Sequence, residues 1–242
     1  MVTQRTVVVT GAARGIGAAI AAMFQERGHR VASADISFAT FEQAHPETLR
    51  GPCDVRDGGS IEAFSREAAT HLGPVDILVN NAGIYPMQPF AEITPDDWRN
   101  VMATNIDSVF HFCRATLPAM RSRGWGRVIN IASNTFFLGL PNLSHYVASK
   151  GAMIGLSRSL AAEVGEDGVT VNCIAPNFTR TEGTAGVAEQ FPELTTSIVR
   201  AQSIPRLAMP ADILGAVDFL SGDGAGFLTG QTLVVDGGQI KT

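Results

Sequence analysis

The chain has 242 residues, 45% of them apolar and 17% charged, which is the composition of a globular protein rather than of a disordered or fibrous one. Its net charge is −5 and its Lys and Arg residues are scattered singly, so we expect no nucleic-acid partner. No apolar run approaches the roughly 18 residues of a membrane span, and the few residues before Thr10 are too short for a signal peptide. We therefore expect one compact cytoplasmic domain over residues 1–242 that does not bind membranes.

Short apolar runs alternate with segments of helical periodicity along the chain. The runs are nearly continuous, which indicates strands whose two faces are both covered by helices. The pattern predicts a single doubly wound α/β domain of the Rossmann type, with a sheet of about seven parallel strands. The predicted strands are 6–10, 31–34, 76–79, 128–132, 169–174 and 232–235, and the predicted helices are 16–27, 60–71, 95–123, 146–164 and 210–220.

One irregular segment, residues 177–203, holds Gly183, Gly186 and Pro192 among polar residues. A long irregular stretch inside a compact domain is typical of a lid over a binding site. The alternative is a variable surface insertion. We predict a substrate lid in this segment.

A glycine-rich turn, Thr10 to Gly17, joins the first predicted strand to the first helix. Glycines let the backbone approach a pyrophosphate closely, and the N–H groups at the start of the helix can face it. The spacing G-x-x-x-G-x-G differs from the generic G-x-G-x-x-G, and a tight turn without a ligand is the alternative. The candidate cofactor-binding residues are Gly11, Arg14, Gly15, Ile16 and Gly17.

Asp35 ends the second predicted strand, 18 residues after Gly17. A carboxylate there can accept hydrogen bonds from an adenosine ribose and would repel a 2′-phosphate. Neither Ile36 nor Ser37 supplies a compensating cation, whereas Arg14 is the contrary signal because it could pair with that phosphate. The pattern favours NAD over NADP.

Tyr146 and Lys150 are four residues apart on a predicted helix, so their side chains share one face. Tyrosine has an ordinary pKa of about 10, and a general base near pH 7 needs about 4 kcal/mol of differential stabilisation of its phenolate. A neighbouring ammonium and a bound nicotinamide cation would supply it. We expect Lys150 to lower the pKa of Tyr146.

Two further polar residues stand out from apolar surroundings. Ser133 follows the predicted strand 128–132, which places its hydroxyl at the carboxyl edge of the sheet, where ligands bind in doubly wound folds. Asn105 interrupts an apolar helical stripe, where a buried amide needs a partner. A water-bridged link from Asn105 towards Lys150 is the functional interpretation, and a helix bulge is the alternative.

The three cysteines, Cys53, Cys113 and Cys173, form no C-x-x-C pair and lie in apolar or strand-like contexts. We expect buried small hydrophobic residues rather than a metal site or a nucleophile.

These motifs together resemble the classical short-chain dehydrogenases/reductases from Thr6 to Gly238. The resemblance rests on the glycine turn, the Tyr146-x-x-x-Lys150 pair with Ser133 and Asn105, and four shorter motifs. These four are Asp54-Val55, Asn80-Asn81-Ala82-Gly83, Pro176 with Thr181, and Asp236-Gly237-Gly238.

The resemblance implies a catalytic tetrad of Asn105, Ser133, Tyr146 and Lys150, in which Tyr146 exchanges the substrate proton. It also implies that Lys150 holds the nicotinamide ribose, that Thr181 contacts the carboxamide and that the protein is a homotetramer. Asp54 would contact adenine. The other cofactor-binding residues that it implies are Val55, Asn81, Ala82, Gly83 and Pro176.

One residue departs from the family pattern. The family usually has glycine after the proline, and Asn177 stands there. Asparagine tolerates left-handed backbone better than most residues, so we expect the turn to survive with the asparagine in that conformation.

Within the family, residues 81–86, 124–129 and 204–206 resemble 1-phenylethanol dehydrogenases, and 133–137 with 141–142 resemble pyridoxal 4-dehydrogenases. Both groups oxidise an alcohol on or beside an aromatic ring with NAD. We therefore expect a secondary or benzylic-type alcohol as substrate, with its ketone or aldehyde as product. An apolar pocket with a few polar tips would suit it, and the candidate residues are Tyr85, Met87, Phe136, Phe137, Leu138, His145 and Phe178.

Each pocket candidate has a plain alternative as a core or loop residue, and His145 has that of a solvent-facing residue at a helix start. Two other functions also stay open. A 3-oxoacyl thioester reductase would favour NADP and a basic docking surface, which Asp35 and the net charge oppose. A non-catalytic NAD sensor would lack a tetrad member, and all four are present.

Overall fold

A computed structural model describes residues 3–241 of the protein, so residues 1, 2 and 242 of the expected domain lie outside the described residues. The described chain forms one α/β domain around an eight-stranded sheet. The strands are β1 (Thr6–Thr10), β2 (Arg30–Asp35), β3 (Glu42–His45), β4 (Thr48–Pro52), β5 (Ile77–Asn80), β6 (Gly126–Ile131), β7 (Val169–Pro176) and β8 (Thr232–Val235).

The sheet confirms the predicted doubly wound fold. Its strand order is β3-β4-β2-β1-β5-β6-β7-β8, and every neighbouring pair is parallel except β3 with β4. Seven parallel strands therefore carry one antiparallel edge strand. The sequence did not place β3 or β4, because β3 is exposed along its length and β4 contains Gly51 and Pro52 instead of a continuous apolar run.

Helices cover both faces of the sheet. Alternate residues of β1 point to opposite sides, so Val8 packs in one core with Phe112, whereas Val7 and Val9 pack in the other with Phe24. The helices are α1 (Gly15–Glu26), α2 (Gly58–Leu72), α3 (Pro95–Met102), α4 (Ser108–Ser122), α5 (Thr135–Leu138), α6 (Ser144–Val164), α7 (Glu182–Gln190), α8 (Pro192–Ala201) and α9 (Ala211–Ser221).

The predicted helix 95–123 is interrupted by a π-turn over Ala103–Asp107, between α3 and α4. Side-chain hydroxyls form hydrogen bonds with backbone carbonyls there: Thr104 Oγ1 donates to Asn100 O, and Ser108 Oγ donates to Thr104 O. The backbone hydrogen bonds of a π-turn span five residues instead of four, so the turn holds an extra residue. Asn105 in this turn is buried. The periodicity alone could not reveal that extra residue.

The segment 177–203 is not irregular, because most of it forms α7 and α8. Thr181 and Thr184 form a capping box at the start of α7, and Pro192 occupies the first turn of α8, where proline needs no donor. Gly183 and Gly186 suggested a loop, but both lie within α7. The two helices pack on each other at the carboxyl edge of the sheet.

The remaining structural expectations concern the cysteines and membrane binding. Cys53, Cys113 and Cys173 are free thiols buried in the core, as predicted. Within residues 3–241, no helix is long and apolar enough to cross a membrane.

Candidate active site

The glycine turn packs tightly against the segment after β5. Gly11 and Gly15 have φ angles of +63° and +60°, which favour glycine. A Cβ at Gly17 would lie 2.2 Å from the Gly11 carbonyl oxygen and 2.5 Å from Asn81 Nδ2. The turn therefore needs glycines for its own packing, and it leaves the start of α1 open at the edge of the sheet. Arg14, the residue before α1, is exposed there, and Ile16 is partly buried.

Asp35 lies beside this turn at the end of β2. One carboxylate oxygen accepts the Ala13 backbone N–H at 3.0 Å, and the other accepts the backbone N–H and the hydroxyl of Ser37 at 2.9 and 2.8 Å. The neighbouring Ile36 is 63% exposed. A partly exposed anion next to the glycine turn can meet a ribose hydroxyl.

The segment after β5 is held by Thr10, a contact that the glycine motif does not predict. Thr10 Oγ1 accepts the backbone N–H groups of Asn81 and Ala82 at 2.9 and 3.0 Å. Asn81 Nδ2 donates in turn to Thr10 O at 2.9 Å. These bonds fix Asn81, Ala82 and Gly83 beside the glycine turn. A hydroxyl at the end of β1 was the signal that could have revealed it.

Asp54 and Val55 follow β4 at the same edge. Arg56 binds the Asp54 carboxylate with a nitrogen–oxygen distance of 2.7 Å, and this hydrogen bond lowers the pKa of Asp54. Val55 is buried. The carboxylate is ionised at neutral pH and is held by Arg56.

Asn105 is fully buried in the π-turn and has three side-chain hydrogen bonds. Its Oδ1 accepts the Ile84 backbone N–H at 2.9 Å, while its Nδ2 donates to Ile84 O at 2.9 Å and to Ser149 Oγ at 3.0 Å. The partners that burial requires for this amide are therefore the Ile84 backbone and the Ser149 hydroxyl. The Ser149 hydroxyl, which the sequence did not predict as part of the site, donates in turn to Tyr146 O at 2.7 Å.

Ser133, Tyr146 and Lys150 meet where β6 ends. Lys150 Nζ donates to Ile131 O at 2.7 Å and lies 5.7 Å from the centre of the Tyr146 ring. Ser133 Oγ accepts the backbone N–H and the hydroxyl of Thr135 at 3.2 and 2.9 Å. Tyr146 is partly exposed to the cleft, whereas Ser133 and Lys150 are buried.

Burial shifts both titrating groups away from their charged forms. It raises the pKa of Tyr146 to about 12, although a hydrogen bond with Ser133 opposes the shift. It lowers the pKa of Lys150 to about 8. The expected lowering of the Tyr146 pKa by Lys150 does not occur in the protein without cofactor, because loss of hydration is the largest influence on the phenol and Lys150 does not shift it. The phenol is protonated at neutral pH.

The pocket candidates are only partly brought together. The Tyr85 ring lies 6.2 Å from the Tyr146 ring, and its hydroxyl donates to Gly183 O of α7 at 2.8 Å. Phe136 stacks edge-on with Phe137 at 5.1 Å and covers Gly151 of α6. Phe178 is partly buried in the segment after β7, and Met87 and Leu138 are exposed.

His145 is not solvent-facing and does not line the open cleft. Its side chain is fully buried because it lies on the inner face of α6, and its Nδ1 accepts the Tyr146 backbone N–H at 3.0 Å.

Pro176, Asn177 and Thr181 lead from β7 to α7. A Cβ at Gly15 would lie 3.3 Å from Thr181 Cγ2, so Thr181 borders the glycine turn. Asn142 is the sole non-glycine residue with positive φ among residues 3–241, which shows that Asn177 is not in the expected left-handed conformation. Its side chain is instead engaged: Nδ2 donates to Gln239 Oε1 at 2.9 Å.

Known proteins are similar to this chain over nearly its whole length. A family model described as enoyl-(acyl carrier protein) reductase matches residues 11–239. Nodulation protein G of Azospirillum brasilense is 38% identical, and acetoacetyl-CoA reductase of Rhizobium meliloti is 37% identical, each over 98% of both chains. D-threitol dehydrogenase of Mycolicibacterium smegmatis is 36% identical over 97% of the chain and 92% of the relative.

Proposed function

The chain belongs to the short-chain dehydrogenase/reductase family, and from that membership we propose that it is an NAD-dependent alcohol dehydrogenase and carbonyl reductase. Oxidoreductase activity follows from the family. The proposed part is that hydride passes between NAD and a secondary or benzylic-type alcohol, giving the ketone or aldehyde. The observation that carries the proposal is the meeting of Ser133, Tyr146 and Lys150 at the sheet edge beside the glycine turn.

The residues at this edge fit a nicotinamide dinucleotide. Arg14 before α1 is exposed, and the N-terminus of the 12-residue helix α1 favours an anion. Asp35 would take the adenosine ribose, and Lys150 the nicotinamide ribose. The remaining contacts would come from Gly11, Arg14, Gly15, Ile16 and Gly17 on the pyrophosphate side, Asp54, Val55, Asn81, Ala82 and Gly83 on the adenosine side, and Pro176 and Thr181 near the carboxamide.

When bound, the nicotinamide supplies the hydride chemistry. Tyr146 exchanges the proton of the substrate oxygen, giving it to a carbonyl or taking it from an alcohol. The protonated phenol of the protein alone is ready for the first direction. Ser133 holds the same oxygen by its hydroxyl, and the Lys150 ammonium favours the phenolate when the site is filled.

Asn105 supports these groups through Ile84 and through Ser149, which contacts the Tyr146 backbone. We assign it to the tetrad as the residue that keeps the π-turn and α6 together, with a water-bridged link towards Lys150. A Cβ at Gly83 would lie 3.3 Å from Asn105 Oδ1 and 3.6 Å from Lys150 Nζ, so a glycine keeps this space open.

An aromatic or hydrophobic substrate suits the cleft beside Tyr146. Tyr85, Phe136 and Phe137 provide aromatic surface that is 36–40% exposed, and Phe178 follows β7 close by. The helices α7 and α8 would act as the lid, which Tyr85 ties down through Gly183. The proposed resemblance to 1-phenylethanol dehydrogenases and pyridoxal 4-dehydrogenases points to the same substrates.

The second candidate function is reduction of a 3-oxoacyl thioester. The similarity to acetoacetyl-CoA reductase over 98% of both chains favours it, while Asp35 beside the glycine turn opposes the NADP that we associate with it. A non-catalytic NAD sensor would not need the complete tetrad.

A substrate and cofactor panel tests the proposal. The purified protein is assayed by NADH or NADPH absorbance with 1-phenylethanol, pyridoxal-type alcohols, threitol and acetoacetyl-CoA, each with both cofactors. We expect NAD-linked turnover of the aromatic alcohols. Turnover of acetoacetyl-CoA alone with NADPH would replace the proposal by the second candidate, and no turnover with any substrate would favour the sensor.

A homotetramer is the proposed assembly. The edge strand β8 presents Leu233 at 39% exposure, Phe227 before it is fully exposed, and Phe110 on α4 is 49% exposed. Apolar side chains on a sheet edge and a helix face suit a symmetric interface. Sedimentation at micromolar concentration decides, and a fully active monomer would contradict this assembly.

A further inference from the structure

Three side-chain amides meet behind Ser133, where the ends of β6 and β7 face the C-terminal segment. Gln239 Oε1 accepts Asn134 Nδ2 at 3.2 Å and Asn177 Nδ2 at 2.9 Å. Asn134 and Asn177 are buried, and Gln239 is partly buried. Asn177 is the residue that replaces the usual glycine, so the departure from the family pattern has a partner.

The orientation of all three amides follows from one backbone bond. Asn177 Oδ1 accepts the Phe178 backbone N–H at 2.7 Å, so its Nδ2 must face Gln239. Gln239 must then present its oxygen, and Asn134 must present its nitrogen to that oxygen. Two donors therefore share one acceptor, and no flipped arrangement satisfies all the bonds.

The acceptor is itself fixed in place. Asp236 Oδ1 accepts the backbone N–H groups of Gly238 and Gln239 at 2.9 and 3.1 Å, and its Oδ2 accepts that of Ile240 at 2.9 Å. The Asp236 side chain is buried, with 3% exposure of the residue. Gln239 thus lies on a closed turn rather than on a loose end of the chain.

The amides connect the two sides of the candidate site. Asn134 is adjacent to Ser133 and precedes α5, which carries Phe136 and Phe137. Its backbone N–H donates to Pro176 O at 3.0 Å, and Asn177 follows Pro176 in the chain. Gln239 Oε1 therefore binds both Asn134, which follows Ser133, and Asn177, which follows Pro176.

We propose that Gln239 is a positioning residue that sets Ser133 and α5 against the Pro176–Asn177 segment, and that Asn177 stands in place of glycine to serve it. The inference rests on the proposed role of Ser133 at the substrate oxygen. Gln239 touches neither Tyr146 nor Lys150 in any hydrogen bond of residues 3–241, so it acts through its two asparagine partners.

The test compares four variants on the substrate that the parent turns over fastest in the panel above, whichever class that is. Gln239→Leu removes the acceptor, Gln239→Glu keeps it, and Asn177→Gly restores the usual residue. Gln43→Leu is the control, because Gln43 is exposed on β3 at the opposite edge of the sheet. We expect Gln239→Leu to lower kcat about tenfold, because it leaves the buried Asn177 Nδ2 without its acceptor, whereas Asn134 Nδ2 still lies 3.5 Å from Asp236 Oδ2. The NADH dissociation constant should stay within about threefold. Gln239→Glu should recover most of kcat, and the control should match the parent.

A substrate-free cycle tests the pairing itself. Gln239→Leu should lower Tm by about 2–4 °C in the parent and by clearly less in the Asn177→Gly background, since coupled residues are not additive. Equal shifts in both backgrounds would overturn the pairing. Unchanged kcat in Gln239→Leu, or equal losses with Leu and Glu, would overturn the positioning role. A parent that turns over only acetoacetyl-CoA would contradict the proposed substrate and leave this comparison intact.

Discussion

The side-chain amide of Asn105 binds both backbone groups of Ile84, accepting its N–H and donating to its carbonyl, each at 2.9 Å. Two hydrogen bonds to the N–H and C=O of one residue also join neighbouring β-strands, but here one partner is a side chain. The π-turn is thereby fastened to the segment that follows Gly83, and the candidate cofactor and proton-transfer regions share one support.

Asn105→Ala should therefore destabilise the protein. The substitution leaves the Ile84 backbone groups without partners, which costs about 1–3 kcal/mol of the free energy of unfolding. Asn100→Ala is the matched control one turn earlier, because the Asn100 side chain is exposed, and we expect at most about 0.5 kcal/mol. Urea unfolding measures both. Equal losses for the two variants would show that the amide bridge contributes nothing.

The buried Lys150 makes stability depend on pH. Its pKa is near 8 in the folded protein against 10.5 ordinarily, so between these pH values the unfolded chain binds the extra proton. Lys150 therefore contributes a rise of about 3 kcal/mol to the free energy of unfolding through this window. The buried Cys53, Cys113 and Cys173 oppose it above about pH 9, because burial raises their pKa values and the unfolded thiols lose protons first. Lys150→Met should remove the Lys150 contribution in the cofactor-free protein, so the parent should gain about 3 kcal/mol relative to the variant as the pH rises through the window.

Denaturant unfolding from pH 7.5 to 10 gives the measurement. Lys241→Met is the control, because Lys241 is exposed and should leave the parent's pH dependence unchanged. The tyrosines and cysteines titrate in both the parent and Lys150→Met, so the difference between the two curves isolates Lys150. A parent and a Lys150→Met variant with parallel curves would contradict the lowered pKa.

Asp35 should determine the choice of cofactor. Asp35→Ala removes both the charge and the acceptor of the Ala13 N–H, whereas Asp35→Asn removes the charge and can keep an acceptor. Both should weaken discrimination against NADP, by about 1–3 kcal/mol in the ratio of kcat/KM values. Comparable effects would identify the charge as the cause. A parent that prefers NADP would refute the assignment of Asp35.

Tyr85 should hold the lid closed. Tyr85→Phe keeps the ring beside Tyr146 but loses the 2.8 Å hydrogen bond to Gly183 O, so α7 and α8 should open more often. Limited proteolysis should cut this segment several times faster than in the parent. Thr195→Val is the control, because Thr195 bonds only within the lid, to Pro192 O. Equal cleavage of both variants would argue against a latch.

The sequence was most informative where one residue type served one local need. Continuous apolar runs predicted the central strands, and the Tyr146–Lys150 spacing predicted a shared helical face that brings the two side chains together. The sequence did not predict the edge strand β3, because an exposed edge strand needs no apolar face. The sequence did not predict α7 and α8, because two glycines suggested a loop, whereas a capping box starts α7 and a proline starts α8.

Contacts between distant segments could not be predicted in the same way. From the sequence alone, Asn177 suggested a left-handed turn. Only the fold shows that its side chain binds Gln239, which lies 62 residues later in the chain. The pKa of Tyr146 shows the same limit, because spacing reveals the nearby ammonium but not the loss of hydration. Periodicity reports which face is buried, and it does not report which polar groups meet there.

The central claim is that Tyr146 exchanges the substrate proton, and Tyr146→Phe tests it most directly. The measurement is kcat for NADH formation from the best alcohol, with NADH affinity measured separately by fluorescence titration. The account predicts that kcat falls by at least 10²–10⁴-fold, the usual contribution of general acid–base catalysis, while NADH binding stays nearly intact. A Tyr146→Phe variant with kcat near that of the parent would contradict the account.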